Sequence, residues 1–222
     1  MSRWFRSYGF ADVYDDLIVG AYPLDRDDVD ALARIGIRRV MNLTEDEEYP
    51  PGDRQQVERA LAGAGIAESR LSLTDYGGLP ADDIETAVRA VGGWLDAGER
   101  TYIHCRAGWQ RSAAIAAGVV AARTGMDVDD AVDYVSRRKP SADPLPHQRA
   151  DLRLWWEGRR AAERGAVDPE PHCGEPTPGD AEPGAGEPGA GNPGAGDPER
   201  RAGEPGAGDP ERHAGEPGAG DP

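Results

Sequence analysis

The chain has 222 residues, a formal net charge of −16 and only two cysteines, Cys105 and Cys173. The acidic balance argues against a nucleic-acid partner held through a basic face, and two cysteines cannot build a disulfide framework. Its opening, Met-Ser-Arg-Trp-Phe-Arg-Ser-Tyr, has no apolar run of signal-peptide length, and no stretch reaches membrane-spanning length. These features set the expectation of a cytoplasmic protein, in a reducing compartment and without a membrane partner.

Residues 16–21 (Asp-Leu-Ile-Val-Gly-Ala) predict a short strand with a glycine near its end. Val29, Leu32 and Ile35 recur at helical spacing, and Gly36 stops that helix. A second strand follows over 37–43, then a polar loop over 44–53 containing Pro50-Pro51-Gly52. Val57 and Leu61 mark a short helix ending near Gly63 or Gly65, and Ile66–Leu73 carries the next strand.

Thr74–Pro80 contains Asp75-Tyr76-Gly77-Gly78 and predicts a loop. Ile84, Val88, Val91 and Leu95 line one face of a helix over 81–96. Arg100–His104 predicts a short buried strand that runs directly into Cys105. An Ala- and Val-rich helix begins at Arg111 or Ser112 and ends near Gly125. Asp127 caps a further helix that ends before Pro140, and a last helix spans 146–164, where Trp155 and Trp156, like Trp94 earlier, are expected to pack. Strands alternating with helices predict an α/β fold, with a central, mainly parallel sheet flanked by helices, over a single domain of residues 1–164.

Residues 165–222 hold 15 of the 30 glycines and 12 of the 19 prolines, one large aliphatic residue (Val167) and no aromatic residue. Such a segment cannot offset its ordering entropy and is expected to be a disordered tail. Its 13 acidic residues against three arginines supply −10 of the net charge. Gly194–Pro205 (GAGDPERRAGEP) recurs as Gly206–Pro217 (GAGDPERHAGEP), a 12-residue period too short and too polar for stacked structural repeats. The simplest account is a self-repelling, solubilising appendage; a partner-binding tail is the alternative.

The chemistry concentrates at His104-Cys105-Arg106-Ala107-Gly108-Trp109-Gln110-Arg111-Ser112. A strand–loop–helix junction offers unpaired N–H groups and the positive end of a helix dipole, a nest for a tetrahedral oxyanion such as phosphate. Gly108 lets the backbone turn there. Arg111 can hold two phosphate oxygens at once through its planar guanidinium. The same positive field favours the thiolate of Cys105, poised beneath a phosphoryl group for in-line attack to give a cysteinyl-phosphate. Asp75, on a loop 30 residues upstream, is the candidate proton donor to the leaving oxygen and then base toward water. Ser112 can donate a hydrogen bond to the thiolate as it leaves. Arg106, Ala107, Gly108, Trp109, Gln110 and Arg111 are the expected substrate-contacting residues. Trp109 either stacks on a substrate ring or caps the domain.

Cys105 and Arg111, separated by five residues and flanked by His104 and Ser112, resemble the signature of the protein tyrosine phosphatase superfamily. Ala107-Gly108, Ser112 and the upstream Asp75 are similar to its dual-specificity branch. Leu17–Gly20, Gly36–Leu43 and Arg137-Arg138-Lys139-Pro140 agree with that branch in order and spacing, so the resemblance covers about residues 14–158. It implies a phosphomonoester hydrolase that needs no metal or other cofactor, with a shallow pocket. It assigns Cys105 as nucleophile, Arg111 as phosphate clamp, Asp75 as acid and base, and Ser112 as thiolate stabiliser. His104 would support the loop, and Gln148 falls near a water-orienting glutamine of some members. Gln110 and Trp109 depart from the small residues usual at their places.

The expected activity is hydrolysis of phosphotyrosine, and of phosphoserine or phosphothreonine, in a phosphorylated protein partner, by a monomer. Alternatives are a phosphoinositide or other non-protein phosphate substrate, a non-catalytic phosphate-binding module, and rhodanese-like sulfur transfer. The last is disfavoured because such loops are one residue shorter. A lone cysteine after a buried strand is ordinarily a small core hydrophobe; Gly108, Arg111 and Ser112 at their offsets set this one apart.

Overall fold

A computed structural model describes residues 1–167. The tail, with Cys173 and the 12-residue repeats, lies outside the described residues, apart from the end of the last helix, which runs three residues past the expected boundary at 164.

The elements in chain order are α1 (Arg3–Tyr8), β1 (Phe10–Tyr14), β2 (Leu17–Ala21), α2 (Arg26–Arg34), β3 (Arg39–Asn42), a 3-10 turn (Asp46–Glu48), α3 (Asp53–Gly63), β4 (Ala67–Arg70), α4 (Ala81–Asp96), β5 (Thr101–Cys105), α5 (Arg111–Thr124), α6 (Val128–Arg138) and α7 (Pro146–Val167). Strands associate in the order β1-β2-β5-β3-β4. β1 pairs antiparallel with β2; every other pairing is parallel.

β5 is inserted between β2 and β3, so its Cys105 end lies at the carboxyl edge of the parallel strands. That edge is where open α/β sheets place their ligands. β2 and β5 are buried at every position, which is why β2 reads as a continuous apolar run. Ile103 and Cys105 join the core beneath α4, α5, α6 and α7, while Tyr102, on the opposite face of β5, joins the core beneath α1, α2 and α3. Val40 and Met41 of β3 divide in the same way.

The expected helices are present with small shifts. Asp25 caps α2 by accepting from the Asp28 amide, and Asp127 caps α6 by accepting from the Asp129 amide. α4 begins just after Pro80, and α5 ends at Gly125 in left-handed conformation (φ 74°). The expected strand 66–73 shrinks to Ala67–Arg70 because only that stretch has a ladder partner. The polar segment 44–53 carries the 3-10 turn.

Neither α1 nor β1 was predicted. α1 is held by the carboxylate of Asp28, which is fully buried. Asp28 accepts from the Ser2 amide and the Ser2 hydroxyl, both at 2.7 Å, and from the Leu24 amide at 3.0 Å. Ser2 Oγ in turn accepts from the Phe5 amide as the helix cap. Gly20 in β2 is required by close packing, since a β-carbon there would overlap the hydroxyl of Tyr102 and the β-carbon of Phe10.

Replacing Asp28 with alanine strands three donors in a dry site. We expect Asp28→Ala to lower the unfolding free energy by about 1–3 kcal/mol in chemical denaturation. Loss of the α1 signal ahead of the rest would be consistent; an unchanged midpoint would refute the anchoring role.

Candidate active site

The loop 106–110 joins β5 to α5. Its carbonyls are turned outward: that of Arg106 accepts from the Tyr22 amide (3.1 Å) and from Trp4 Nε1 (3.3 Å), and that of Trp109 accepts from the Asp143 amide (2.8 Å). With those carbonyls fixed away from the centre, the loop amides can converge as an anion nest at the start of α5. Gly108 has φ 74°, and a β-carbon on it would collide with the Gly20 backbone. Two glycines back to back therefore let the loop seat on the end of β2.

Cys105 is nearly fully buried, and its sulfur lies 3.3 Å from Ser112 Oγ in the first turn of α5. Arg111, one residue earlier, is completely buried. Its Nη1 donates to Glu48 Oε1 (2.6 Å) and to the carbonyls of Leu73 (2.7 Å) and Leu43 (3.3 Å). Its Nη2 donates to Glu48 Oε2 (2.7 Å) and to Asp75 Oδ1 (2.8 Å). Burial alone would lower the Arg111 pKa; the hydrogen bonds to Glu48 and the charges of Cys105, Glu48 and Asp75 outweigh it and move it up. Arg111 Nε is buried and has no partner among the described residues. An unpaired Nε beside an Nη2 shared with Asp75 is the guanidinium edge that a phosphate can take bidentately.

Glu48 and Glu45 were not singled out in the sequence, and they organise the site. Glu48 accepts from the Glu45 amide (2.9 Å) while gripping Arg111. Glu45 accepts from Thr74 Oγ1 (3.2 Å) and the Asp75 amide (3.4 Å), so it holds the loop that carries Asp75. The turn that delivers both begins at buried Asn42, whose Oδ1 accepts from the Thr44 amide (2.9 Å) and hydroxyl (2.6 Å).

A cavity of about 320 Å³ opens over Cys105. Arg106, Ala107, Trp109, Gln110 and Arg111 line it with Asp75, as the sequence leads one to expect; Tyr76, Trp4 and Tyr8 complete it. Gly108 is not among the side chains lining it: its α-carbon packs on Gly20, which leaves its backbone amide as the group that could meet an anion. Gln148 is corrected. Its Nε2 donates to the Gly77 carbonyl (3.0 Å) and its Oε1 accepts from the Leu145 amide (3.1 Å), so it braces the Asp75 loop and does not line the cavity. A larger cavity of about 490 Å³, lined by Glu85, Arg89, Arg123 and Arg159 among others, contains no cysteine, serine or histidine.

His104 is fully buried, and neither ring nitrogen makes a hydrogen bond of good geometry among the described residues. Burial pushes its pKa down to about 3, with the charges of Arg54, Arg111 and Arg70 adding to the shift and the nearby polar backbone of Cys105 opposing it. The ring is therefore neutral at ordinary pH, which fits support and not proton transfer. Lys139 is buried behind the site and donates to Ser141 Oγ (2.7 Å). Its pKa is lowered by burial, and the charge of Cys105 opposes that shift.

A family model described as dual specificity phosphatase, catalytic domain, matches residues 17–157. Among solved structures, Tk-PTP in the active form is 19% identical with a TM-score of 0.60, covering 68% of this chain and 97% of that one. PTPMT1 in complex with PI(5)P is 19% identical with a TM-score of 0.60, covering 69% and 98%. Human DUSP28 is 22% identical with a TM-score of 0.56, covering 68% and 99%. No curated protein matches the chain.

Two outcomes follow from this geometry. Glu48→Gln removes the charge that faces a buried guanidinium, a loss of about 3–5 kcal/mol when one partner of such a pair is deleted. The variant should be less stable in urea and bind inorganic phosphate at least about tenfold more weakly. For His104, the folded pKa near 3 lies below the ordinary 6.5. The unfolded chain then binds the extra proton between those values, so this contribution to stability is complete above pH 6.5 and is lost as pH falls toward 3. His104→Gln should flatten that stretch of the stability–pH curve; an unchanged slope would contradict a buried neutral ring.

Proposed function

The chain belongs to the dual-specificity phosphatase family, and on that premise we propose that it hydrolyses phosphotyrosine in proteins through a cysteinyl-phosphate. The observation that carries the reading is the convergence of Cys105, Arg111 and Asp75 on one cavity, with Ser112 Oγ beside the sulfur.

In this reading the substrate phosphoryl group enters the amide nest of residues 106–110 and takes Nε and Nη2 of Arg111. It displaces Asp75 from Nη2, which frees that carboxyl for the leaving oxygen. Cys105 attacks phosphorus in line as the thiolate. The phosphorus–oxygen ester bond breaks, and Asp75 transfers a proton to the departing phenoxide. Asp75, now a carboxylate, takes a proton from water as that water attacks the cysteinyl-phosphate. The thiolate leaves with Ser112 Oγ donating to it, and inorganic phosphate is released. Glu48 holds the guanidinium in place throughout.

A phosphoinositide is the second reading, prompted by the similarity to PTPMT1 with PI(5)P. The cavity supports it less: Arg106 and Arg111 are the two cations among its lining residues, and four aromatic side chains make up much of the remaining wall. An inositol headgroup offers such a wall no aromatic face, and its phosphodiester adds charge beyond the one phosphomonoester.

The test is release of phosphate from phenyl phosphate by wild type, Cys105→Ser and Asp75→Asn. Wild type should turn over, Cys105→Ser should be inactive, and Asp75→Asn should be slower by about 10²–10⁴-fold. An inactive wild type, or an active Cys105→Ser, would sink the proposal; an unaffected Asp75→Asn would move the proton transfer to another group.

A further inference from the structure

Helix α1 sends two side chains into the catalytic cavity that the loop chemistry does not require. Trp4 and Tyr8 are four residues apart, hence on one face of the helix, with ring centroids 4.1 Å apart. Tyr8 continues to Trp109 at 5.2 Å, so the three rings form a connected wall. Trp4 is braced edge-on by Tyr22 at 5.6 Å, and its Nε1 donates to the Arg106 carbonyl. Phe5, on another face of α1, is buried in the core, where its ring lies 5.7 Å from that of Phe10. Asp28 grips Ser2 at the start of the helix. The helix is thus fixed from behind while its aromatic face borders the cavity.

Large rings left partly open to solvent beside a cavity are surface waiting for a partner. Trp109 is 41% exposed, and Tyr76, which lines the same cavity next to Asp75, is 68% exposed. The cavity falls within the range of about 300–1,000 Å³ typical of small-molecule sites, well beyond the space a phosphoryl group fills. Cys105 lies at its floor.

We propose that α1 is the substrate-selecting element: Trp4, Tyr8 and Trp109 form an aromatic wall that receives the phenyl ring of an aryl phosphate, so the site prefers phosphotyrosine to phosphoserine and phosphothreonine. The inference rests on the phosphatase reading and names the substrate class of that same site. A phenyl ring fills the space against the wall and carries its phosphoryl group down to the sulfur. An alkyl ester has no π-face to offer and leaves the wall wet.

The experiment measures binding to the full chain in the Cys105→Ser background, where nothing is turned over, with phenyl phosphate and methyl phosphate as probes. Adding Tyr8→Ala should weaken phenyl phosphate by about fivefold to tenfold, the scale of one lost aromatic contact, and leave methyl phosphate within about twofold. Tyr8→Phe should restore the phenyl affinity. Equal weakening of both probes would make α1 a mere brace for the loop and overturn the proposal, as would unchanged phenyl phosphate binding. Should Tyr8→Ala unfold, Tyr8→Leu carries the same comparison, since it keeps apolar volume without the ring. Absence of hydrolysis by wild type would remove the phosphatase reading, whereas the binding ratio alone decides the role of α1.

Discussion

A fully buried guanidinium is the constraint around which this molecule is arranged. Arg111 is completely shielded from solvent, yet it must remain charged to meet an anion. Such a cation is tolerated only when its donors are matched closely. Glu48 matches two of them along one edge, and the Leu43 and Leu73 carbonyls take more. Those partners come from the turn after β3 and from the segment after β4, both far from Arg111 in sequence. The guanidinium therefore ties two separate loops to the first residue of α5. The side chain that would grip a phosphate is also the one that assembles the walls of its pocket.

The sheet supplies the frame for that arrangement. β5 lies between two parallel neighbours and ends at Cys105, so the sulfur is delivered at the carboxyl edge with both faces covered. Gly20 on the adjacent strand and Gly108 in the loop remove the side chains that would hold the two backbones apart. Packing, not catalysis, explains both glycines. It also explains why the loop carbonyls find partners on the outside: the Tyr22 amide follows directly from the β2 end, and the Asp143 amide from the segment after α6.

Local features made much of this readable. The Cys105-to-Arg111 loop is contiguous, and its strand and helix are consecutive, so residue types and spacing were enough to place it. α4 was legible to the residue at both ends because Pro80 precedes a strongly one-sided apolar pattern. What stayed hidden depends on distant pairing. Asp46, Glu47 and Glu48 look alike in a polar segment, and only the fold shows that Glu48 turns inward while Asp46 and Glu47 stay exposed. Helix α1 has six residues, too few for periodicity to register, and its position rests on Ser2 meeting Asp28, 26 residues later. The resemblance puts Gln148 near a water-orienting position, and only the fold shows that its amide braces Gly77 and Leu145. The close approach of Gly108 to the Gly20 backbone depends on the same kind of distant pairing.

The ligand-free arrangement also bears on the order of events. Asp75 sits on Nη2 of Arg111, one of the two donors a bidentate phosphate takes, whereas Nε is already unpaired. The phosphate and the carboxylate compete for the same hydrogen. A bound phosphoryl dianion brings more negative charge to that point than a single carboxylate, so it wins the donor and pushes Asp75 away from the guanidinium. The displaced carboxyl is still held near the cavity by its backbone, since Glu45 grips the Asp75 amide. In the proposed reaction, occupation of the nest by substrate would thereby free the Asp75 carboxyl for the leaving oxygen, and departure of the product would return Asp75 to Arg111.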